Sequence, residues 1–113
     1  MLGRNVKITA PHSARADARK LFEALGASLA TPTDAMDVFA MRDSNIGFAY
    51  VPDADALTPV QMRIAPWLEM LVDDVDAAAR RLDALGLPRI DYHDKTHPYF
   101  VAPGGAVFRL AAR

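Results

Sequence analysis

The chain has 113 residues, 13 basic against 14 acidic side chains for a formal charge of −1, and no cysteine. That length suits one compact domain, the charge leaves no basic excess for a nucleic-acid backbone, and the missing thiols exclude disulfides, thiolate metal sites and a cysteine nucleophile. With 51% hydrophobic and 24% charged residues the composition is globular, and the apolar runs fall short of the ~20 residues that span a bilayer.

In chain order, the first residues, MLGRNVKITAPHS, hold no apolar core of signal-peptide length, so a cytoplasmic location is expected. A strand is predicted near 4–10. Residues 13–25, SARADARKLFEAL, set Ala18, Leu21, Phe22 and Leu25 on one helical face, with Ser13 as N-cap and Gly26 as stop. Extended runs follow near 27–31, 36–41 and 45–51, separated by turn signals at PTD and RDSN. Residues 52–63, PDADALTPVQMR, read as a polar linker. A strand near 65–72 then leads to a helix over 74–85, capped by Asp73 or Asp74 and ended by Gly86. The last extended runs fall near 88–92, 97–101 and 106–111, broken at HDK and PGG.

The two helices end alike, in EALG and DALG, and Gly26 and Gly86 stand 60 residues apart. The same offset pairs Ile8 with Leu68, Ala18 with Ala78, Lys20 with Arg80, Phe39 with Tyr99 and Phe48 with Phe108. A constant offset across helix and strands indicates a duplicated β-α-β-β-β unit, over 4–51 and 64–112. Each half is too small for a good core and leaves one sheet face bare. The expected fold is therefore α+β: one domain, 1–113, of two tandem βαβββ units whose curved mixed sheet surrounds a central cavity, with the helices outside.

The segments EALG, WLEMLVDDVDAAARRLDALG and APGGAVFRL resemble the vicinal oxygen chelate superfamily, which includes glyoxalase I, extradiol dioxygenases and the bleomycin- and fosfomycin-resistance proteins. The resemblance implies that fold, a bacterial homodimer, and metal ligands at an early and a late strand position of each unit. Carried over, the early positions fall on Lys7 and Trp67, the late ones on Ala49 and Arg109. Trp and Ala cannot ligate, Arg does not deprotonate, and Lys ligates only when neutral. Neither a metal nor another cofactor is expected.

Strand alternation places Lys7 and Thr9, Gly47 and Ala49, Trp67 and Glu69, and Val107 and Arg109 toward the cavity. Gly47 and Ala49 are expected to leave space there. Arg109 needs a partner. Either it pairs internally with Glu69 and stacks on Trp67, or Arg109 and Lys7 meet the anion of a small ligand against a Trp67 wall. His93 and His97, beside Asp91, Asp94 and Tyr92, read as a polar surface turn, the alternative being a two-histidine metal site with an aspartate. The functional expectation is a metal-free protein that binds a small anionic or aromatic ligand through Trp67, Arg109, Glu69, Lys7, Ala49 and Thr9. The alternatives are a lyase-, isomerase- or dioxygenase-like enzyme in which Glu69 is general base and Arg109 steadies an anion, and an interaction subunit with a vestigial cavity.

Overall fold

The computed structural model describes residues 3–30 and 32–113. The chain divides into two compact units, Met1–Leu57 and Thr58–Arg113. The division falls inside the segment read as linker.

In the first unit, β1 (Asn5–Pro11) leads through a 3-10 turn (His12–Ala14) into α1 (Arg15–Ala24), followed by β2 (Ser28–Leu29), β3 (Met36–Ala40) and β4 (Asn45–Val51). The sheet order is β1-β4-β3-β2, with β1 parallel to β4 and the other pairs antiparallel. A parallel pair needs a crossover, and α1 lies within it, burying Ala18, Leu21 and Phe22. The Phe22 ring stacks on Phe39 at 4.6 Å and meets Phe48 edge-on at 5.4 Å. Each buried aromatic of this kind contributes about 1.5–3 kcal/mol over leaving it exposed. Gly26 ends the helix at φ 83°, as Gly86 ends the second unit's helix at φ 77°, a backbone that glycine adopts without steric penalty.

Ser13 does not cap α1. Ala14 holds that position without a side-chain bond, and the Ser13 hydroxyl donates to the Asp53 carboxylate at 3.2 Å. The 3-10 turn moves the helix start past Ser13, so its side chain is directed to a distant partner.

One buried charge sits in this core. Asp37, at 0% exposure, accepts from Arg15 Nη2 (2.8 Å), Arg19 Nε (2.9 Å), Arg19 Nη2 (2.8 Å) and the Tyr50 hydroxyl (3.2 Å). Arg15 also donates to the carbonyls of Thr33 and Asp34 and lies over the Tyr50 ring. The Asp37 carboxyl is pulled down to about 2, first by its Arg19 bond and then by Arg15, against the opposing effect of burial. Burial, and then the Asp37 charge, raises the Tyr50 phenol.

The second unit begins with α2 (Pro59–Arg63), then β5 (Leu68–Val72), α3 (Val75–Ala84), β6 (Tyr99–Val101) and β7 (Val107–Ala112). The stretch read as linker is thus partly ordered. It holds a 3-10 turn at Asp53–Asp55, and α2 opens with a reciprocal capping box: Gln61 N donates to Thr58 Oγ1 (3.2 Å), and Thr58 N to Gln61 Oε1 (2.8 Å). The T-P-V-Q sequence carries that signature.

The second sheet has order β5-β7-β6, again with the first strand parallel to the last. Met70, Phe100, Phe108 and Leu110 form its buried face with Ala78, Ala79 and Leu82 of α3. A fourth strand, expected over 88–92, is reduced to one bridge, Arg89 to Phe100. Pro88 brings no N–H to a ladder. After Ile90 donates to the Tyr99 carbonyl, the chain turns away, and Asp94 closes an Asx turn on the Thr96 N–H at 2.8 Å.

Of the two candidate caps for α3, Asp74 acts: its carboxylate accepts from Ala77 N at 3.0 Å, while Asp73 pairs with Arg113. Asp74→Ala is expected to cost about 1 kcal/mol in urea denaturation, and Asp73→Ala markedly less.

Candidate functional site

The face of the second sheet turned away from α3 carries the polar cluster. β7 is the middle strand, so Arg109 stands between Glu69 on β5 and Tyr99 on β6. Its guanidinium donates to Glu69 Oε2 from Nε (2.8 Å), with Nη2 2.7 Å from the same oxygen. Nη1 donates to the Tyr99 hydroxyl (3.2 Å) and to Asp94 Oδ2 (3.3 Å). Arg109 also lies over the indole of Trp67 at 4.5 Å, and Trp67 meets Tyr99 edge-on at 6.0 Å. Tyr99 raises the Arg109 pKa first, and Glu69 next. The internal pair with Glu69 and the stack on Trp67 are both present.

Asp94 joins the cluster from the turn after Ile90. Its Oδ2 accepts from Tyr99 at 3.0 Å and meets His97 Nδ1 at 3.1 Å, while Oδ1 accepts from the Thr96 hydroxyl. Thr96, through hydroxyl and then N–H, followed by Tyr99 and His97, holds this carboxyl well below the usual range. Asp94 and His97 are therefore tied to Arg109 and do not form a merely polar surface turn, whereas His93 lies against Tyr92.

Sequence reasoning missed Tyr99 and Asp94 as partners of Arg109, and the physical reason is a change of register. Phe48 opposes Asp37, but its counterpart Phe108 opposes Phe100, which stands 63 residues after Asp37, not 60. An odd shift moves a strand residue to the other face. Phe39, the expected counterpart of Tyr99, packs on α1, while Tyr99 points to the face away from α3, beside Arg109.

In the first unit, Lys7 pairs with Gly47 and Thr9 with Ala49, so all four share the face away from α1. A shallow recess of about 290 Å³ on this unit is lined by Asn5, Val6, Lys7, Met36, Val38, Asn45 and Gly47. Neither Thr9 nor Ala49 lines it. The space expected over Gly47 is taken: a Cβ there would lie 2.5 Å from the Met36 Cε.

No model of a protein family matches this sequence, and no curated protein does. Solved structures do. A protein from Bacillus anthracis assigned to the glyoxalase family aligns with a TM-score of 0.74 at 16% identity, over 100% of this chain and 95% of that one. The fosfomycin resistance protein FosX from Mesorhizobium loti gives 0.69 at 14%, over 100% and 92%. Lactoylglutathione lyase from Agrobacterium tumefaciens gives 0.66 at 17%, over 99% and 92%. The chain has the vicinal oxygen chelate fold. At these identities the likeness is one of fold alone, and the vicinal oxygen chelate fold hosts several chemistries.

The metal that this fold commonly carries does not fit the residues present. Arg109, at a ligand position by resemblance, is itself a permanent cation whose nitrogens occupy the carboxylate oxygens of Glu69 and Asp94. Among the described residues no group of three or more His, Asp or Glu side chains is placed to hold a metal ion. No helix of the described residues is long and apolar enough to cross a membrane.

Proposed function

We propose that this chain is a metal-free small-molecule-binding domain of the glyoxalase and bleomycin-resistance type, and that its ligand is a small planar aromatic compound carrying an N–H or O–H donor. The supporting observation is Trp67. An indole that is 39% exposed, backed by a guanidinium on a sheet face bare of its helix, is a ready stacking surface. Beside it Glu69 is 37% exposed, and its Oε1 has no partner among the described residues, because both Arg109 contacts fall on Oε2. That oxygen can accept a hydrogen bond from a ligand, and Arg109 Nη2 retains one unused proton.

Charge selects between the aromatic and the anionic ligand. Glu69 and Asp94 together outweigh the single cation Arg109, so an anion here must displace a carboxylate already in place. A neutral or cationic donor meets no such barrier. Lys7, Thr9 and Ala49 belong to the reading as ligand-facing residues of the first unit; of the three, Lys7 lines the recess there.

Trp67 is the only tryptophan, so its fluorescence reports directly on this site. In a screen of aromatic heterocycles with ring N–H groups against benzoates of matched size, the N–H compounds are expected to quench Trp67 and raise Tm. Glu69→Gln, which keeps the shape but loses the charge, is expected to weaken their binding about tenfold, the size of one charge-assisted hydrogen bond. If no compound moves either Trp67 emission or Tm, the binding reading is overturned. If benzoates bind more tightly, the ligand class is wrong.

A further inference from the structure

The helix side of the second unit holds a groove that the aromatic site does not use. It encloses about 450 Å³ and is lined by Val75, Asp76, Ala79 and Arg80 of α3, by Arg89, and by Lys95, Thr96, His97 and Pro98. Three basic side chains, Arg80, Arg89 and Lys95, thus line it against one carboxylate, Asp76. The Arg80 guanidinium has no hydrogen-bond or ion-pair partner among the described residues. Arg89 uses Nε and Nη2 on Asp83 and lies over the Phe100 ring at 4.8 Å, which holds the side chain while leaving Nη1 unused. Lys95 pairs with Asp91, an ammonium with two further protons to donate. Asp83 and Asp91 lie outside the lining, and they and the cations they pair with are exposed, so water screens both signs of charge there.

His97 completes the wall. The Asp94 carboxylate accepts only, and it faces Nδ1 at 3.1 Å, so Nδ1 carries the ring proton. The Thr96 hydroxyl, 2.9 Å from Nδ1, has its own proton on Asp94 and accepts as well. The ring is thereby held from behind. Nε2, on a side chain that is 32% exposed and lines the groove, has no partner among the described residues.

From these placements we infer that the groove between α3 and the 95–98 segment is a second binding site, taking a small phosphate-bearing anion. The Arg80 guanidinium, the unused Nη1 of Arg89 and the Lys95 ammonium supply donors from three segments of the chain, a donor set suited to a phosphate oxyanion. This site lies on the helix side of the sheet, and Asp94 is the neighbour it shares with the aromatic site on the other face.

The test uses inorganic phosphate as the probe, and His97 imidazole NMR resonances at low ionic strength, at fixed pH, as the readout. The chain has 3 histidines, so the signals are assignable by substitution. Phosphate is expected to shift the His97 signals with half-saturation on the order of 1 mM, while chloride at equal ionic strength does not. Arg80→Gln and Lys95→Gln are each expected to weaken binding about tenfold. Arg81→Gln, an equally basic change on α3 outside the lining, should leave it unaltered. Equal shifts with chloride, or equal weakening by Arg81→Gln, reduce the effect to general surface charge and overturn the site. So does the absence of any His97 shift in wild-type protein, which needs no variant to fold. Failure here leaves the Trp67 screen untouched, since that assay reads the opposite face.

Discussion

Asp37→Ala is expected to destabilise the protein by about 3 kcal/mol. That is a large share of the 5–15 kcal/mol that typically separates a small domain from its unfolded state. Asp37 is fully buried and is the common acceptor for Arg15, Arg19 and Tyr50. Removing it leaves two guanidiniums and a buried phenol facing one another. The arginines are 22% and 40% exposed, so they regain some hydration. That places the cost at the lower end of the 3–5 kcal/mol seen when one partner of a buried pair is lost. The effect also reaches beyond the pair, because Arg15 ties α1 to the carbonyls of Thr33 and Asp34 ahead of β3. Urea denaturation of wild type, Asp37→Asn and Asp37→Ala separates the terms. The amide oxygen can still accept but its nitrogen cannot, so the difference between Asn and wild type reads the loss of the charge together with one of the two acceptor oxygens. A loss below about 1 kcal/mol for the alanine variant would show that the cluster is solvated in solution and not a buried anchor.

The same group gives a pH dependence of definite sign. The Asp37 carboxyl falls from 3.8 to about 2 in the folded protein. A depressed pKa means the folded state binds the proton less well than the unfolded one, so this contribution, about 2 kcal/mol, is fully present above pH 4 and is lost as pH falls from 4 through 2. Asp37→Asn should be less stable than wild type at pH 6, with the gap narrowing on acidification across that window.

Arg109→Glu is expected to turn the polar cluster of the second sheet into a divalent-metal site. In the wild type the guanidinium supplies the positive charge that Glu69, Asp94 and the Tyr99 hydroxyl surround. Replacing it with glutamate brings three carboxylates together at one spot of the sheet, and their repulsion lowers Tm in chelator-treated protein. Mn²⁺ then has hard oxygen ligands of the kind it prefers. At saturation it should raise the variant's Tm by at least about 5 °C, through binding to the folded state alone. Wild type should show no such rise. The control Arg109→Gln removes the cation without adding a ligand, and is expected to gain less from Mn²⁺. If Arg109→Glu binds no more Mn²⁺ than wild type by calorimetry, Arg109 is not standing in for a metal.

The two helices and the strands that precede and follow them were legible because their signals are local. Helical apolar spacing with Gly26 and Gly86 marks α1 and α3, and the constant 60-residue offset marks the duplication of β1 with β5 and β4 with β7. Trp67, Glu69 and Arg109 could be placed on one face because strand alternation and parallel pairing follow from that offset. The 88–92 segment misled because extended composition does not ensure a ladder partner, and Pro88 and the Asx turn at Asp94 limit its pairing.

By itself, then, the sequence determined the fold class, the helix and flanking strands of each half, and a cation at the strand position where the family resemblance implies a metal-binding carboxylate. Only the tertiary structure decided what that cation touches. The three-residue change of register in the second hairpin sends Tyr99 to the face away from α3, and the turn at 94–97 delivers Asp94 to it. Pairing register is set by how distant strands dock, and a shift of an odd number of residues exchanges the two faces of a strand. No local pattern in VAPGGAVFRL or HDKTHPYF records which of those registers the chain adopts.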